Sequence, residues 1–402
     1  MKPHNILMLS DVYHPRVNGV STSIETFRRD LRAQGHRVHL VAPAYGAGPE
    51  PDAELSRVPG RAVPRDPEDR LMRWGHLGEA LERLAAEPWD VIHVHTPFLA
   101  HYAGAKLARR LGVPLAITYH TLFEEYLHYY VSLVPGAATR ALARAVSRRQ
   151  CRQADLVVVP STAMAERLNA YGIAAANMRV LPTGLSAEVY ERGDGAAFRH
   201  AHGIEAGRPV ALFVGRAAFE KNIGFLLEAM QTVLRRLPDA LLLIAGEGPA
   251  AESLRHQARQ LGVAANVRFL GYLARGKPLA DCYAAADVFA FASRTETQGL
   301  VLLEAMAQGL PVLALSEMGT RDIVEGSPGA VTGDDNVVEF GRQLAELLHE
   351  PQRCAALAAG AREWSRRWHG DALARRLVEF YAELPARRGG RRLGCRQVVT
   401  RA

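Results

Sequence analysis

Pro209-Val-Ala-Leu-Phe-Val214 runs directly into Gly215-Arg216, and a short loop, Phe219-Glu-Lys221-Asn222, leads from there into an amphipathic segment. An apolar run of this length, bounded by proline and glycine, reads as a buried strand. The glycine lets the chain turn sharply into a helix. The same strand–loop–helix unit recurs downstream, with strands near 240–245, 267–270, 287–291 and 311–315. Upstream it repeats near 5–9, 36–42, 90–95, 114–119, 155–159 and 178–181, with helical patterns such as 21–34 and 99–111 between them. Strands alternating with helices predict parallel sheets covered on both faces. The stretch 187–208 is rich in glycine, charge and histidine and carries no strand pattern, so it divides the two series.

The fold class expected is therefore α/β, with two Rossmann-like, doubly wound domains. Residues 1–186 form the first domain and 187–362 the second. Residues 363–385 contain Trp364, Trp368, Phe380 and Tyr381 and form a terminal helix, which either crosses back to the first domain or packs within the second. Residues 386–402 carry six arginines and no acid, including the run at 387–392, and are expected to be a disordered basic tail. Ligands bind at the carboxyl ends of strands in such sheets, so a cleft with the two domains facing across it is the expected active site.

A chain of 402 residues is long for one core and suits two or three domains. Hydrophobic residues make up 48% and charged residues 23%, which excludes a disordered polyelectrolyte. No apolar run approaches the roughly 20 residues a membrane-spanning helix needs. The N-terminal apolar run ends at Leu9, short for a signal peptide, and a cytoplasmic protein is expected. The four cysteines lie far apart and form no Cys-x-x-Cys pair, so neither zinc nor a disulfide framework is suggested. Residues 1–183 carry 22 Lys and Arg against 17 acids, while 184–385 carry 21 against 25. A basic front half points to an anionic surface met by the first domain, a membrane or a nucleic acid.

Arg216 and Lys221 stand five positions apart on one loop beside a helix N-terminus, a suitable clamp for a diphosphate. Two solvated loop cations are the plainer reading of that pair. Downstream, Ser293-Arg-Thr-Glu296-Thr297-Gln298-Gly299-Leu300 leads to Glu304, two carboxylates eight positions apart with Gly299 opening a helix between them. A carboxylate accepts two hydrogen bonds from a vicinal diol, so one glutamate can serve each ring of a nucleotide sugar. An acidic cap and a surface glutamate are the competing reading. The segment 300–307 is too apolar for an exposed helix, however, and Glu304 there needs a specific partner. No Gly-x-Gly-x-x-Gly fingerprint and no Gly-Lys-Ser/Thr loop occur, so neither a dehydrogenase nor a P-loop kinase is supported.

Taken together, Gly215-Arg216-x4-Lys221-Asn222, then Gly246-Glu247-Gly248-Pro249, then Glu296 to Glu304-Ala-Met-Ala-Gln-Gly309-Leu-Pro311, resembles retaining glycosyltransferase family 4, whose fold is GT-B. The resemblance implies that Arg216 and Lys221 bind the donor diphosphate. Glu304 would bind the ribose and Glu296 the transferred sugar. The backbone N–H groups of Thr297, Gln298, Gly299 and Leu300 would help to hold sugar and phosphate, with Gly215 shaping the opposite loop. It also implies that the loop 11–19 lies against the donor phosphates, Gly19 permitting close approach, and that His120 sits beside the transferred sugar. A lone histidine at a strand end is otherwise usually structural.

After His120 come Phe123, Tyr126 and Tyr130, an aromatic patch suited to a greasy acceptor, or else part of a core helix. Next, Arg140, Arg144, Arg148 and Arg152 recur at four-residue steps, with Arg149 and no acid among them. Such a face attracts anionic lipid head groups. A solvated face and RNA binding are its alternatives. Glu296-Thr-Gln-Gly, Tyr119-His-Thr-x-x-Glu and Ser147-Arg-Arg-x-Cys-Arg152 resemble the branch that glucosylates diacylglycerol.

The function implied is transfer of a hexose, glucose from UDP-glucose, to a lipid such as diacylglycerol, by an enzyme peripheral on the cytoplasmic face of the membrane. His120, Arg216, Lys221 and Glu296 would be catalytic. No cofactor or metal is expected, since no Asp-x-Asp motif occurs, and no nucleic-acid partner is expected. Mannosyl transfer to phosphatidylinositol, a polysaccharide-building step, a nucleotide-sugar epimerase and a non-enzymatic RNA- or membrane-binding protein are the rivals.

Overall fold

The computed structural model describes residues 2–46, 52–63, 66–120, 136–173 and 175–384. The chain opens with β1 (Asn5–Leu9), α1 (Gly19–Ala33), β2 (Arg37–Pro43) and β3 (Leu55–Val58), then a hairpin of β4 (Gly60–Val63) and β5 (Asp66–Met72). α2 (Trp74–Leu84), β6 (Val91–Val94), α3 (Leu99–Leu111), β7 (Leu115–Thr118), α4 (Gly136–Gln153), β8 (Leu156–Val159), α5 (Thr162–Ala170) and β9 (Met178–Val180) follow. Then come α6 (Gly195–Ala201), β10 (Val210–Val214), α7 (Ile223–Arg236), β11 (Leu241–Ala245), α8 (Ala251–Gln260), β12 (Val267–Gly271) and α9 (Lys277–Ala284). The chain continues with β13 (Val288–Phe291), α10 (Leu300–Ala307), β14 (Val312–Leu315), α11 (Arg321–Val324) and β15 (Ala330–Gly333). It closes with α12 (Val337–His349), α13 (Pro351–Ser365) and α14 (Gly370–Ala382).

Two compact units result. The first comprises Met1–Val158, Tyr171–Arg179 and the chain from Leu377 onward; the second comprises Val159–Ala170 and Val180–Arg376. α14 thus begins in the second unit and ends in the first. The boundary read between 186 and 187 falls inside the second unit, and the stretch after it is structured: α6 packs on α9, with Gly193 and Gly195 against the backbone of Ala280 and Ala284.

The first unit is built on a seven-stranded sheet in the order β3-β2-β1-β6-β7-β8-β9, with Ile6 of β1 facing Val38 on one side and Val91 on the other. The second is built on a six-stranded parallel sheet in the order β12-β11-β10-β13-β14-β15. Each order reverses once, between β1 and β6 and between β10 and β13, as in a doubly wound fold. The central strands are apolar throughout because helices cover both faces: β10, β11, β13 and β14 bury every residue. Phe213 and Phe291 stack at 5.6 Å, and Phe289 stacks on Phe291 at 5.9 Å. Burying a side chain of this size contributes about 1.5–3 kcal/mol.

Four strands lie beyond those expected: β3 and β15 at the margins of the two large sheets, and β4 and β5 in a hairpin of their own. β3 and β15 lie at sheet edges and are mostly half-exposed, so Leu-Ser-Arg-Val and Ala-Val-Thr-Gly carry no apolar run to betray them.

Candidate active site

The carboxyl ends of β10 and β13 flank the point where the second sheet reverses order, and the two loops leaving them are tied to each other. Asn222, left-handed at φ 53°, donates its side-chain amide to the Ala292 carbonyl at 3.1 Å. Ser293 and Thr295 hydroxyls donate to the Glu220 carbonyl at 3.3 and 3.4 Å. Lys221, which closes a single 3-10 turn, then reaches across so that its Nζ lies 2.5 Å from Glu296 Oε1. Arg216 projects from the same loop, exposed, and its guanidinium makes no hydrogen bond or ion pair among the described residues.

The neighbouring loop, after β11, is held by backbone contact. Gly215 donates to the Ala245 carbonyl and Ala217 to the Glu247 carbonyl, both at 2.9 Å. A Cβ on Gly246 would lie 1.9 Å from the Gly215 carbonyl oxygen, so only glycine allows this approach. The Gly-Glu-Gly element therefore shapes the loop that carries Arg216.

Glu296 itself is fixed from behind: its carbonyl accepts from Gly319 N–H at 2.8 Å, and the Thr297 carbonyl accepts from the Ser161 hydroxyl at 2.7 Å. Gln298 is buried, its amide oxygen accepting from Thr183 N–H at 2.7 Å and its amide nitrogen donating to the Thr183 carbonyl at 2.8 Å. Its side chain is thus occupied with the protein's own backbone, and only its main-chain N–H remains for a ligand. Gly299, at φ 89° and ψ 49°, turns the chain into α10 without a side-chain cap. The first N–H groups of that helix, from Leu300, form its positive end.

One turn further, Glu304 is 5% exposed. Its Oε1 pairs with Arg275 at 2.6 Å and its Oε2 accepts from the Tyr283 hydroxyl at 3.0 Å. Burial, with the Glu304 charge beside it, raises the Tyr283 hydroxyl well above its ordinary range, so it stays a donor. Arg275 and Tyr283 were not legible as site residues. Their only sequence signal is the demand of a buried carboxylate for partners, which does not say where they are.

In the first unit, Gly19 opens α1 next to the Asn18 cap, whose Oδ1 accepts from Ser21 N–H at 2.9 Å. No atom of the described protein lies within 4 Å of where a Gly19 Cβ would stand. The protein's own packing therefore does not require a glycine there. Asp11, following β1, accepts from the Thr96 hydroxyl at 2.7 Å and from Ala100 N–H at 3.2 Å at the start of α3. Burial pushes its carboxyl up to about 6.

His120, following β7, belongs to a group of three histidines at the ends of β6 and β7. His95 Nδ1 lies 3.1 Å from His120 Nε2. His93 packs on His95 at 4.3 Å between ring centroids and is pinned by Tyr381 (Nδ1 to hydroxyl, 2.6 Å) and Thr118 (Nε2 to hydroxyl, 2.7 Å). Burial lowers His93 and His120 to about 3 and His95 well below its usual value, so all three are neutral at physiological pH. His93 and His95 went unread because two histidines inside a strand pattern look like ordinary polar interruptions.

α4 buries Ala143, Ser147, Gln150 and Cys151 and exposes Arg140, Arg144, Arg148, Arg149 and Arg152. Ser147 and Gln150 anchor the helix through the Tyr119 hydroxyl at 2.8 Å and the Pro97 carbonyl at 2.7 Å. Arg148, Arg149 and Arg152 line a shallow groove, and Arg144 lies over the Tyr171 ring at 5.0 Å. Phe123, Tyr126, Tyr130 and the tail 386–402 lie outside the described residues. No cluster of three or more His, Cys, Asp or Glu able to hold a metal occurs among the described residues, and none of their helices is long and apolar enough to cross a membrane.

The family profile described as Glycosyltransferase Family 4 matches residues 17–189, and that described as Glycosyl transferases group 1 matches 195–364. The alpha-monoglucosyldiacylglycerol synthase of Streptococcus pneumoniae is 34% identical over 76% of this chain and 70% of its own length. The chain belongs to glycosyltransferase family 4. A second relative, the GDP-mannose-dependent alpha-mannosyltransferase of Mycobacterium tuberculosis, is 32% identical over 90% of this chain and 93% of its own. Among solved structures, Anabaena HepE in complex with UDP and glucose matches with a TM-score of 0.75 at 19% identity, covering 95% of this chain and all of that one. The sucrose-phosphate synthase of Thermosynechococcus elongatus matches at 0.77 and 22% identity, over 94% and 99%. These likenesses show the GT-B fold, two Rossmann-like domains in one chain. This family 4 member is an enzyme, a glycosyltransferase; Arg216, Lys221 and Glu296 lie on loops at the reversal point of its second domain's sheet, where such folds bind ligands, and Glu304 lies in α10, the helix that follows.

Proposed function

We propose that this glycosyltransferase moves glucose from UDP-glucose, with retention of configuration, onto the hydroxyl of a membrane lipid of the diacylglycerol type. The similarity to the Streptococcus pneumoniae alpha-monoglucosyldiacylglycerol synthase carries the reading. The five exposed arginines of α4 support it: a face of this kind is attracted to anionic head groups at about 1 kcal/mol per cation. Phe98 and Tyr102 support it too, being 47% and 45% exposed on the chain that Gln150 ties to α4. The enzyme then works as a peripheral protein on the cytoplasmic face of the membrane.

In the reaction, the bond between the sugar's anomeric carbon and the diphosphate breaks while the acceptor oxygen bonds to that carbon on the same face. The acceptor's proton passes to the departing diphosphate oxygen. Arg216 and Lys221 stabilise the charge that develops on the leaving group, and the N–H groups opening α10 add to it. Glu304, held rigid by Tyr283, receives the ribose, with Arg275 giving way to it. Glu296 takes the transferred sugar once Lys221 turns to phosphate. By the family resemblance His120 positions that sugar, and a neutral imidazole suits a hydrogen-bonding role rather than that of a base.

The relatives named as mannosyltransferases favour a second reading, transfer of mannose from GDP-mannose to a phosphatidylinositol-type lipid. Incubation with radiolabelled UDP-glucose or GDP-mannose and vesicles containing diacylglycerol or phosphatidylinositol separates the two. A labelled glycolipid from UDP-glucose and diacylglycerol is the expected product; hydrolysis of UDP-glucose with no glycolipid would end the first reading.

A further inference from the structure

We infer that His95 is a positioning residue that locks His120 into the tautomer carrying its proton on Nδ1, so that His120 meets the transferred sugar as a hydrogen-bond donor. The inference rests on the proposed assignment of His120 to the sugar and deepens it.

The two rings lie edge to edge. Their centroids are 5.4 Å apart, their planes differ by 24°, and the facing nitrogens are 3.1 Å apart, the arrangement of a nearly in-plane hydrogen bond. One proton occupies that bond, and it belongs either to His95 Nδ1 or to His120 Nε2. The other nitrogen of His95 decides between them. His95 is 2% exposed and its Nε2 is buried without a partner among the described residues. A buried N–H with no acceptor is the rarer and less tolerated defect, whereas a bare ring nitrogen gives up only a weak acceptor. His95 therefore keeps its proton on Nδ1 and donates to His120 Nε2.

His120, neutral like its neighbour, is left with its proton on Nδ1. No described residue takes that N–H, and on the proposed reading it is donated to a sugar oxygen. His95 cannot turn to undo this. His93 packs against its ring at 4.3 Å, and His93 is itself bonded at both nitrogens, by Tyr381 and Thr118.

The test reads the tautomer first and activity second. Full-length protein labelled with 15N-histidine gives long-range proton–nitrogen spectra without any substrate, and the His120 signals are those lost in His120→Gln. Expected are a protonated Nδ1 and a bare Nε2 on His120. His95→Asn, whose amide nitrogen occupies the place of Nδ1, should keep that pattern, and His95→Leu, which offers no donor, should release the lock so that the Nε2-protonated form appears beside it. In transfer assays His95→Leu should lose roughly 10- to 100-fold in kcat with little change in donor KM, and His95→Asn should recover to within about threefold.

A wild-type His120 protonated on Nε2 overturns the inference, even if His95→Leu fails to fold. A kcat indifferent to His95→Leu in a folded variant, judged by circular dichroism, overturns its functional half. Failure of UDP-glucose as donor would refute the proposed substrate while leaving the tautomer measurement standing.

Discussion

Lys221 and Glu296 form an ion pair across the reversal point of the second sheet, Nζ to Oε1 at 2.5 Å, with side chains 21% and 14% exposed. A cation assigned to the diphosphate and a carboxylate assigned to the sugar thus neutralise each other. On the proposed reading, a donor's diphosphate would take the place of Glu296 against Lys221, and its sugar hydroxyls would donate to Glu296.

Lys221→Ala removes one of the two cations proposed to face the leaving group and leaves Glu296 without the Lys221 ion pair. We expect kcat/KM for transfer to fall by about 100-fold or more, on the order of 3 kcal/mol of transition-state stabilisation. A variant with kcat/KM within threefold of the parent would remove Lys221 from the mechanism.

Tyr283→Phe deletes the hydroxyl that donates to Glu304 Oε2 and leaves the ring that fills the core. Lost orientation of a ribose-binding carboxylate should raise the donor KM roughly threefold to tenfold while kcat holds, with stability lowered by about 1 kcal/mol. A selective drop in kcat would place Tyr283 in the chemistry instead.

On the proposed reading Arg216 and Lys221 supply the charge that metal ions provide in other transferases, so chelation should leave transfer intact. Rates measured before and after dialysis against EDTA should agree within about twofold. A loss restored by magnesium or manganese would overturn this point.

Arg144→Ala combined with Arg148→Ala withdraws two exposed cations from α4. Association with vesicles containing anionic lipid should weaken about 30-fold at low salt, at about 1 kcal/mol per cation, and much less at high salt. UDP-glucose binding should not change. Unaltered sedimentation with vesicles would detach α4 from the membrane.

Stability should fall as pH drops below about 6.5. The folded-state pKa of His93 and of His120 is about 3, below the ordinary value of 6.5, and His36, His39, His95 and His101 are also lowered by burial. A group with a depressed histidine pKa takes its proton only on unfolding, so acid favours the unfolded chain from about 6.5 down to the folded value. Each such group contributes up to about 1.4 kcal/mol per pH unit across that window. Asp11, raised to about 6, works in the opposite direction, gaining a proton in the folded state between about 6 and 3.8, but it is outnumbered. Urea unfolding at pH 7.5 and 5.5 should show the difference; equal free energies would contradict it.

From residues alone, the two series of apolar strands, the Gly-Arg and Lys-Asn loop, the Glu296 and Glu304 spacing and the arginine face of α4 were legible, because each is local. A strand buried on both faces must be apolar, and a helix face repeats at a fixed step. The tertiary structure alone decided what meets those residues: Lys221 with Glu296 across two loops, Arg275 and Tyr283 with Glu304, Thr183 with Gln298, and Tyr381, 288 positions from His93, against its ring. Such partners are chosen by how strands are ordered in a sheet and by which loops that order brings together. Sequence spacing carries no trace of that choice, since any donor of the right chemistry could satisfy a buried acceptor until the fold selects one.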